Sequence, residues 1–457
     1  MPTFSAEKIA AWSGGRWTRL PGGTLVGFNQ DTRSLNAGQI FVALQTEKRD
    51  GHDFVGEAQA KGAAAGLVSR KIDGVTLPQL VVADPLVGFQ KIAAAARQEF
   101  TGPVVGVTGS AGKTSTKDLL AILFGGEPEV CATAGNLNNH IGIPLTLTRL
   151  DPAVHRAAVI EAGINMPGEM QGLADMIQPD HAIVTLVGPA HLEQLGSLEG
   201  VADEKVKLLT AVRAGGLQVF PVSCWQFAPF RELANSLVLV PADAGMVNLT
   251  GRSLSFTVLH RPERTEVTLG DRRTFLLRRV SGGMAQNTAL ALALASELGV
   301  DDPTLQERLE TWVPSKWRGE LQRIGEADVY CDFYNANPAS MQDAIAAFAG
   351  LVKTDLPRLY VLGGMEELGA HAAQFHHQLG RTILLRPGDF LCALGDHAMA
   401  LREGLLENGN DPEQIEVVTD LAPVRARLAA FRGAAFLKGS RRYRLETILD
   451  PHDSTHA

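Results

Sequence analysis

The chain has 457 residues, room for about two to four domains, and its 45% hydrophobic and 20% charged content is ordinary for a soluble globular protein. A formal net charge of −8 argues against a general nucleic-acid surface. Cys131, Cys224, Cys331 and Cys392 are scattered without a Cys-x-x-Cys pair, which gives no disulfide framework or zinc site and suits a reducing compartment. Residues Met1 to Arg16 hold no apolar signal core and no apolar run is long enough for a bilayer, so the expectation is a cytoplasmic protein without membrane insertion.

Up to about Asp84 the pattern predicts short strands at Ile40–Leu44, Ala65–Val68 and Leu80–Val82. Turns fall at Asn36-Ala37-Gly38 and Arg49-Asp50-Gly51, and a small helix is expected over Ala58–Ala64. An amphipathic helix, Leu86–Phe100, opens a second region. The apolar approach Val104–Val107 predicts a buried strand, followed by Gly109-Ser110-Ala111-Gly112-Lys113-Thr114-Ser115 and a helix over Lys117–Phe124. Strand, glycine-rich turn, Lys-Thr and helix describe a phosphate-binding loop, although the strict pattern wants Gly where this chain has Val107. Glycines let backbone N–H groups close around phosphate oxygens, and the helix N-terminus adds partial positive charge. Lys113 can then reach the terminal phosphates, and the Thr114 hydroxyl can sit on magnesium. The alternative is an ordinary glycine-rich turn before a helix.

Beyond the loop, buried strands (Ala157–Glu161, Ala182–Leu186, Leu217–Pro221) alternate with helices (Met166–Met176, Val201–Val212), the signature of a doubly wound α/β sheet. Alternating residues between Ser253 and Arg279 predict an antiparallel edge, and a helix over Ala285–Leu298 closes the region. After Trp312-Val313-Pro314, strands Val329–Asp332, Leu359–Leu362, Phe390–Leu394 and Ala434–Leu437 alternate with helices such as Met341–Leu351. The fold class is therefore α/β in three domains, over residues 1–85, 86–314 and 315–457.

Ligands in open α/β sheets bind at the carboxyl ends of strands. Glu161 ends one strand and is a candidate magnesium ligand, or a helix-capping acid. His191 follows another strand at the same edge, and is by itself as readily structural. Thr133 to Asn139, with Asn136, Asn138 and Asn139, is either a turn cluster or a ligand loop. In the third region Asp332-Phe333-Tyr334-Asn335-Ala336-Asn337-Pro338, Gly363-Gly364-Met365-Glu366-Glu367-Leu368-Gly369 and Lys438-Gly439-Ser440-Arg441 all follow strands, which suggests a second ligand face.

Together these motifs resemble the Mur ligases, ATP-dependent amide-forming enzymes of peptidoglycan synthesis, over nearly the whole chain. Asp31-Thr32-Arg33, Gly38 to Leu44 and Asp50-Gly51-His52 look like the family's uridine-nucleotide domain. The loop Thr108 to Thr114 is similar to the family's phosphate loop, Val107 included. Gly135-Asn136-Leu137-Asn138-Asn139, Ile141 to Thr146, Glu161 to Glu169 and Gly188-Pro189-Ala190-His191-Leu192-Glu193 resemble one branch of the family. Tyr334 to Pro338 and Lys438 to Arg441 complete the set.

The resemblance implies a small nucleotide-sugar-binding domain, a central phosphate-loop ATPase domain and a C-terminal Rossmann-like ligase domain. It implies ATP and two magnesium ions as cofactors, and UDP-N-acetylmuramoyl-tripeptide and D-alanyl-D-alanine as substrates of a cytoplasmic monomer. Lys113, His191 and Lys205 would be catalytic. Gly109 to Ser115, Asn287, Arg318, Asp332 and Asn335 would bind the nucleotide. Thr32, Arg33, Asn136, Asn138, Asn139 and Asn165 would bind substrate. Thr114, Glu161, His191 and Lys205 would hold metal, Lys205 as a carbamate, since an ammonium has only donors. Read without the family, Lys205 is a solvated helix residue. The third domain should move, with the phosphate loop and the Asn335–Asn337 loop far apart until ligand binds.

Several positions depart from the family pattern: His140, Leu186, Gly283-Met284, the Arg318-Gly319 order, Cys331 and Gly364. Of these, Gly283-Met284 stands where the family's adenine pocket is expected. The alternatives are a sibling Mur ligase, a folylpolyglutamate- or cyanophycin-type ligase, a phosphate-loop kinase or nucleotide switch, or a non-catalytic relative.

Overall fold

The computed structural model describes residues 2–245, 247–249, 251–270 and 273–449. Three large sheets follow one another along the chain, beside a two-stranded pairing of Thr3–Phe4 with Leu25–Val26. The first orders its strands Arg16–Trp17, Gln79–Val81, Ala65–Val68, Ile40–Val42 and Phe28–Asn29, parallel except at the Arg16–Trp17 edge. The period of two in a strand decides its layers. Ile40 and Val42 turn to a cluster with Phe89 and Ile92, while Phe41 and Ala43 turn to Val55 and Ala58 on the other face. The expected helix over Ala58–Ala64 is displaced to Val55–Ala60, because the chain turns at Gly62, which is left-handed at φ +85°.

Helix Pro85–Glu99 starts on Asp84, whose side chain accepts from Leu86 N and Val87 N, with Pro85 in the first turn. It packs Phe89 and Ile92 on the first sheet and Ala93 on the central core. Arg97, wholly buried, fastens it to the central region. Its guanidinium donates to Ile177 O, Phe100 O and Gln178 O and pairs with Asp180 at 2.7 Å. A buried charge held this completely is costly to disturb, about 3–5 kcal/mol if one partner is removed.

The central sheet has nine strands, in the order Arg273–Arg278, Arg264–Leu269, Arg252–His260, Ser236–Pro241, Gln218–Pro221, His181–Val184, Val104–Thr108, Ala157–Glu161 and Val130–Ala132. The pairings are parallel apart from the last hairpins, which run antiparallel as expected. Strands Val130–Ala132 and Ser236–Pro241 escaped the sequence reading. The chain lays Val130–Ala132 and Ala157–Glu161 on one side of Val104–Thr108, then crosses to the other side. That switch opens a crevice at the carboxyl ends. Helix Gly282–Glu297, an Ala- and Leu-rich element buried all round, runs between the sheet and helix Lys113–Leu123. At the outer edge the Gln306 side chain accepts from Leu276 N at 2.8 Å and donates to Leu276 O at 3.0 Å.

The third sheet orders Glu320–Ile324, Ala327–Cys331, Ala434–Lys438, Arg358–Gly363, Phe390–Leu394 and Ile415–Val418. Only the first hairpin is antiparallel. Tyr330, Phe348, Tyr360 and Phe436 pack ring on ring in its core, with Phe348 and Phe436 centroids 5.3 Å apart. The parallel strands point their carboxyl ends at the crevice of the central sheet.

Candidate active site

Strand Val104–Thr108 is buried throughout and delivers the chain to Gly109. Two glycines are required here. Gly109 has φ +152°, and a Cβ there would lie 1.9 Å from Thr185 Oγ1; Gly112 has φ +78°, and a Cβ there would lie 2.1 Å from Asn287 Nδ2. The loop is thus pressed between the end of strand His181–Val184 and helix Gly282–Glu297. Ser110 Oγ donates to Gly188 O at 2.9 Å and accepts from Gly188 N at 3.0 Å. Helix Lys113–Leu123 begins four residues earlier than expected, on Gly112, with no side-chain cap. Its first-turn N–H groups, including those of Thr114 and Ser115, therefore face the crevice as an anion site. Lys113 Nζ donates to Gly109 O at 3.0 Å. Burial lowers the Lys113 pKa, opposed by the negative charge of Glu161.

Glu161 ends its strand 2% exposed. Its backbone N–H donates to Thr133 Oγ1, and its Oε1 accepts from Asn138 Nδ2 at 2.8 Å. Oε2 is buried with no partner among the described residues. His191, left-handed at φ 55°, opens the short helix Leu192–Leu195, and its Nδ1 lies 2.5 Å from Glu367 Oε2. That contact holds the Glu367 carboxyl below its ordinary range. Lys205 sits on helix Leu198–Thr210 but points inward, 1% exposed, so the reading of a solvated lysine is overturned. Burial, with Lys113 adding repulsion, pushes its pKa well below the ordinary lysine value. Among the described residues no three His, Cys, Asp or Glu side chains converge as a metal cluster, so an ion here would need Thr114 or a modified lysine beside Glu161 and His191.

The third sheet faces these groups across a cleft of about 1100 Å³. Lys438, at the end of its strand, pairs with Asp332 at 2.7 Å and donates to Asn335 O, which ties two strand-end loops together. Arg318 stacks on the Tyr334 ring at 3.9 Å. Asn337 caps helix Pro338–Leu351 through a capping box with Ser340, and its Nδ2 donates to Ser110 O at 2.9 Å. The phosphate loop and the Asn335–Asn337 loop are therefore in contact in this arrangement of the domains. One side-chain amide bridges the two sheets directly.

Most of the expected residues line this cleft: Ser110 to Ser115, Asn136, Asn138, Asn139, Glu161, Asn165, His191, Asn287, Arg318, Asp332 and Asn335. Asn139 also does local work, accepting from Ile141 N and Gly142 N. Thr32 and Arg33 are not in the cleft wall. They belong to the first domain, where Arg33 pairs with Asp31 and Thr32 O accepts from Lys61. Asn337, Glu367 and Asp343 were not among the expected site residues, although the first two lie in motifs read as strand-end loops. Two departures from the family pattern find a physical reason. A Cβ at Gly283 would meet Asp343 Oδ2 at 2.6 Å, and Gly283 N donates to Asp343 Oδ1. A Cβ at Gly364 would meet the Tyr443 hydroxyl at 2.5 Å.

A phosphate loop at the switch point of one sheet, closed by the strand ends of another, defines an ATP-dependent ligase built in three domains. The chain belongs to the Mur ligase family. Residues 107–237 match the Mur ligase middle domain, and residues 317–440 match the Mur ligase, glutamate ligase domain. It is 32% identical to the UDP-N-acetylmuramoyl-tripeptide–D-alanyl-D-alanine ligase of Escherichia coli (strain K12), covering 93% of each chain. The Bacillus subtilis (strain 168) protein of the same name is 31% identical, over 93% of this chain and 92% of the relative. Among solved structures, a MurF from Acinetobacter baumannii superposes with a TM-score of 0.86 at 27% identity, over 99% of each chain. The MurF ligase of Thermotoga maritima in complex with ADP gives 0.78 at 26% identity, over 93% and 96%.

Proposed function

We propose that this chain joins D-alanyl-D-alanine to the terminal carboxylate of UDP-N-acetylmuramoyl-tripeptide, with ATP hydrolysed to ADP and phosphate, in peptidoglycan precursor synthesis. The observation that carries it is the meeting of Lys113, Glu161 and His191 with the third-sheet loop of Asn335–Asn337 on one cleft. A kinase or switch needs the first group but not the second sheet. The relatives of matching length, which carry that name, support the same reading.

Water opposes condensation of a free carboxylate with an amine. Phosphorylating the carboxylate replaces a poor leaving group with phosphate, and the dipeptide amine can then attack. The phosphate loop holds and orients ATP, and Lys113 supplies a point charge at its terminal phosphates. Asn138 fixes Glu161, and Arg318, Asp332 and Asn335 bound the nucleotide from the third sheet. Seating that sheet excludes water from the activated carboxyl. Thr32, Arg33 and the first sheet are assigned to the uridine nucleotide, and Asn136, Asn139 and Asn165 to the peptide. The unpaired buried oxygen of Glu161 fits a cation. Thr114 and Glu161 would hold one magnesium ion, and Glu161, His191 and a carbamylated Lys205 a second. Magnesium would supply neutralisation between the two anions. The neutral Lys205 amine, which burial favours, would add carbon dioxide, releasing one proton and becoming an anion.

The test is the product mass after incubation with ATP, UDP-N-acetylmuramoyl-tripeptide and D-alanyl-D-alanine. The expected product is the pentapeptide nucleotide, with phosphate release that requires both acceptor and dipeptide. Release that needs neither, or a product formed only with another amino acid, overturns the reading.

A further inference from the structure

The contact between His191 and Glu367 crosses from the central region to the third sheet and has no part in the reading above. Glu367 lies on the loop after strand Arg358–Gly363 and is itself left-handed, at φ 63°. The loop is braced from behind. Tyr443 donates to Glu366 Oε1 at 2.5 Å, and Arg442 pairs with Glu366 at 3.1 Å. In front it presses on the turn that carries His191: Glu193 N donates to Glu367 O at 3.2 Å, and a Cβ at Gly369 would sit 3.0 Å from Glu193 Cα. Between these supports the Glu367 carboxylate reaches His191 Nδ1 at 2.5 Å, and Nδ1 has no hydrogen-bond partner of ordinary alignment among the described residues.

A histidine that ligates through one ring nitrogen commonly gives the other to a carboxylate, which fixes its tautomer and its plane. We propose that Glu367 is the positioning residue for His191: seating the third sheet brings its carboxylate to Nδ1 and leaves Nε2 directed to the cleft as a ligand. The third domain then completes a cation site whose other groups all belong to the central domain. The inference rests on the reading of His191 as a metal ligand.

Mn2+ binding to the full chain, followed by the electron-spin signal of the free ion with a non-hydrolysable ATP analogue present, tests it, together with 15N spectra of the histidine rings. His191→Ala identifies the signal and the binding that belong to that residue. Glu367→Ala and Glu367→Gln are expected to weaken His191-dependent binding by about 10- to 100-fold. They are also expected to shift the His191 ring from the Nδ1–H form and to lower kcat with little change in the KM for the dipeptide. Wild-type binding and tautomer in a folded Glu367→Ala protein would overturn the proposal. Mn2+ binding that is indifferent to His191→Ala would overturn it together with the ligand reading. A failed ligation assay with the Mn2+ difference intact would overturn the function alone.

Discussion

Lys113, half-buried, and Lys205, buried, differ in what their replacement should change. Lys113→Ala removes the charge at the terminal phosphates and should lower kcat by about 10²–10³, the cost of one preorganised electrostatic contact, in a chain that still folds. Steady-state rates with saturating ATP check it, and near-normal turnover would count against the phosphate-loop assignment. Lys205 concerns stability as well. Its pKa is lowered in the folded chain, so below the ordinary lysine value the unfolded chain binds a proton that the folded chain does not. Stability should therefore rise with pH through the window from the lowered value up to the ordinary one, 10.5. In buffer depleted of carbon dioxide, Lys205→Met should flatten that slope and melt higher than wild type at neutral pH, yet be inactive. Lys205→Arg should be inactive too, since Arg keeps the charge but cannot be carbamylated. Full activity in Lys205→Arg would return Lys205 to a packing role. At this scale the sequence was legible where chemistry forces residue types together, as in Gly109 to Thr114. It was silent on burial: Ala202-Asp203-Glu204-Lys205 reads as polar and exposed, and only the inward turn of the helix shows Lys205 at 1% exposure.

Elements were legible in proportion to their apolar pattern. Ala65–Val68, Ala157–Glu161 and Phe390–Leu394 stand where their uninterrupted apolar runs placed them. Glu320–Ile324 was missed because an edge strand with half its residues in water has a weak pattern, and Val130–Ala132 because three residues carry almost none. The start of helix Lys113–Leu123 was missed because its first turn is polar, as an anion-binding turn has to be. Asn337 is the cap of its helix and also the bridge to Ser110, a second role that no local signal reveals. Asn337→Ser keeps the cap and drops the bridge. It should cost about 1 kcal/mol of docking, roughly a fivefold rise in the KM for ATP, with the melting temperature nearly unchanged. An unchanged KM would show that the bridge does not help to seat the third sheet.

Across the whole molecule, contacts such as Asn337–Ser110, Glu367–His191 and Asp343–Gly283 hold the third sheet on the central one. Buried apolar residues of both regions, Leu192 and Leu195 with Met365 and Leu368 among them, also share one cluster, so release by a hinge near Pro314 has to part apolar as well as polar contacts. Small-angle scattering should show a more extended average in the free protein, moving to the compact arrangement when ATP analogue and nucleotide peptide are both added. Identical profiles would mean that closure does not depend on ligand. The succession of the three large sheets was readable from composition shifts, but their mutual seating was not, because it rests on groups far apart in sequence. The Gln306 amide has a different kind of consequence. Strand Arg273–Arg278 is the outermost of the central sheet, and an outermost strand is where a passing chain can add on through backbone hydrogen bonds. By occupying both groups of Leu276, Gln306 imitates one residue of a further strand and then ends the pattern. Gln306→Leu should leave the fold and the cleft chemistry alone, yet make the protein self-associate as its concentration rises, a liability that light scattering would read and an enzyme assay would not.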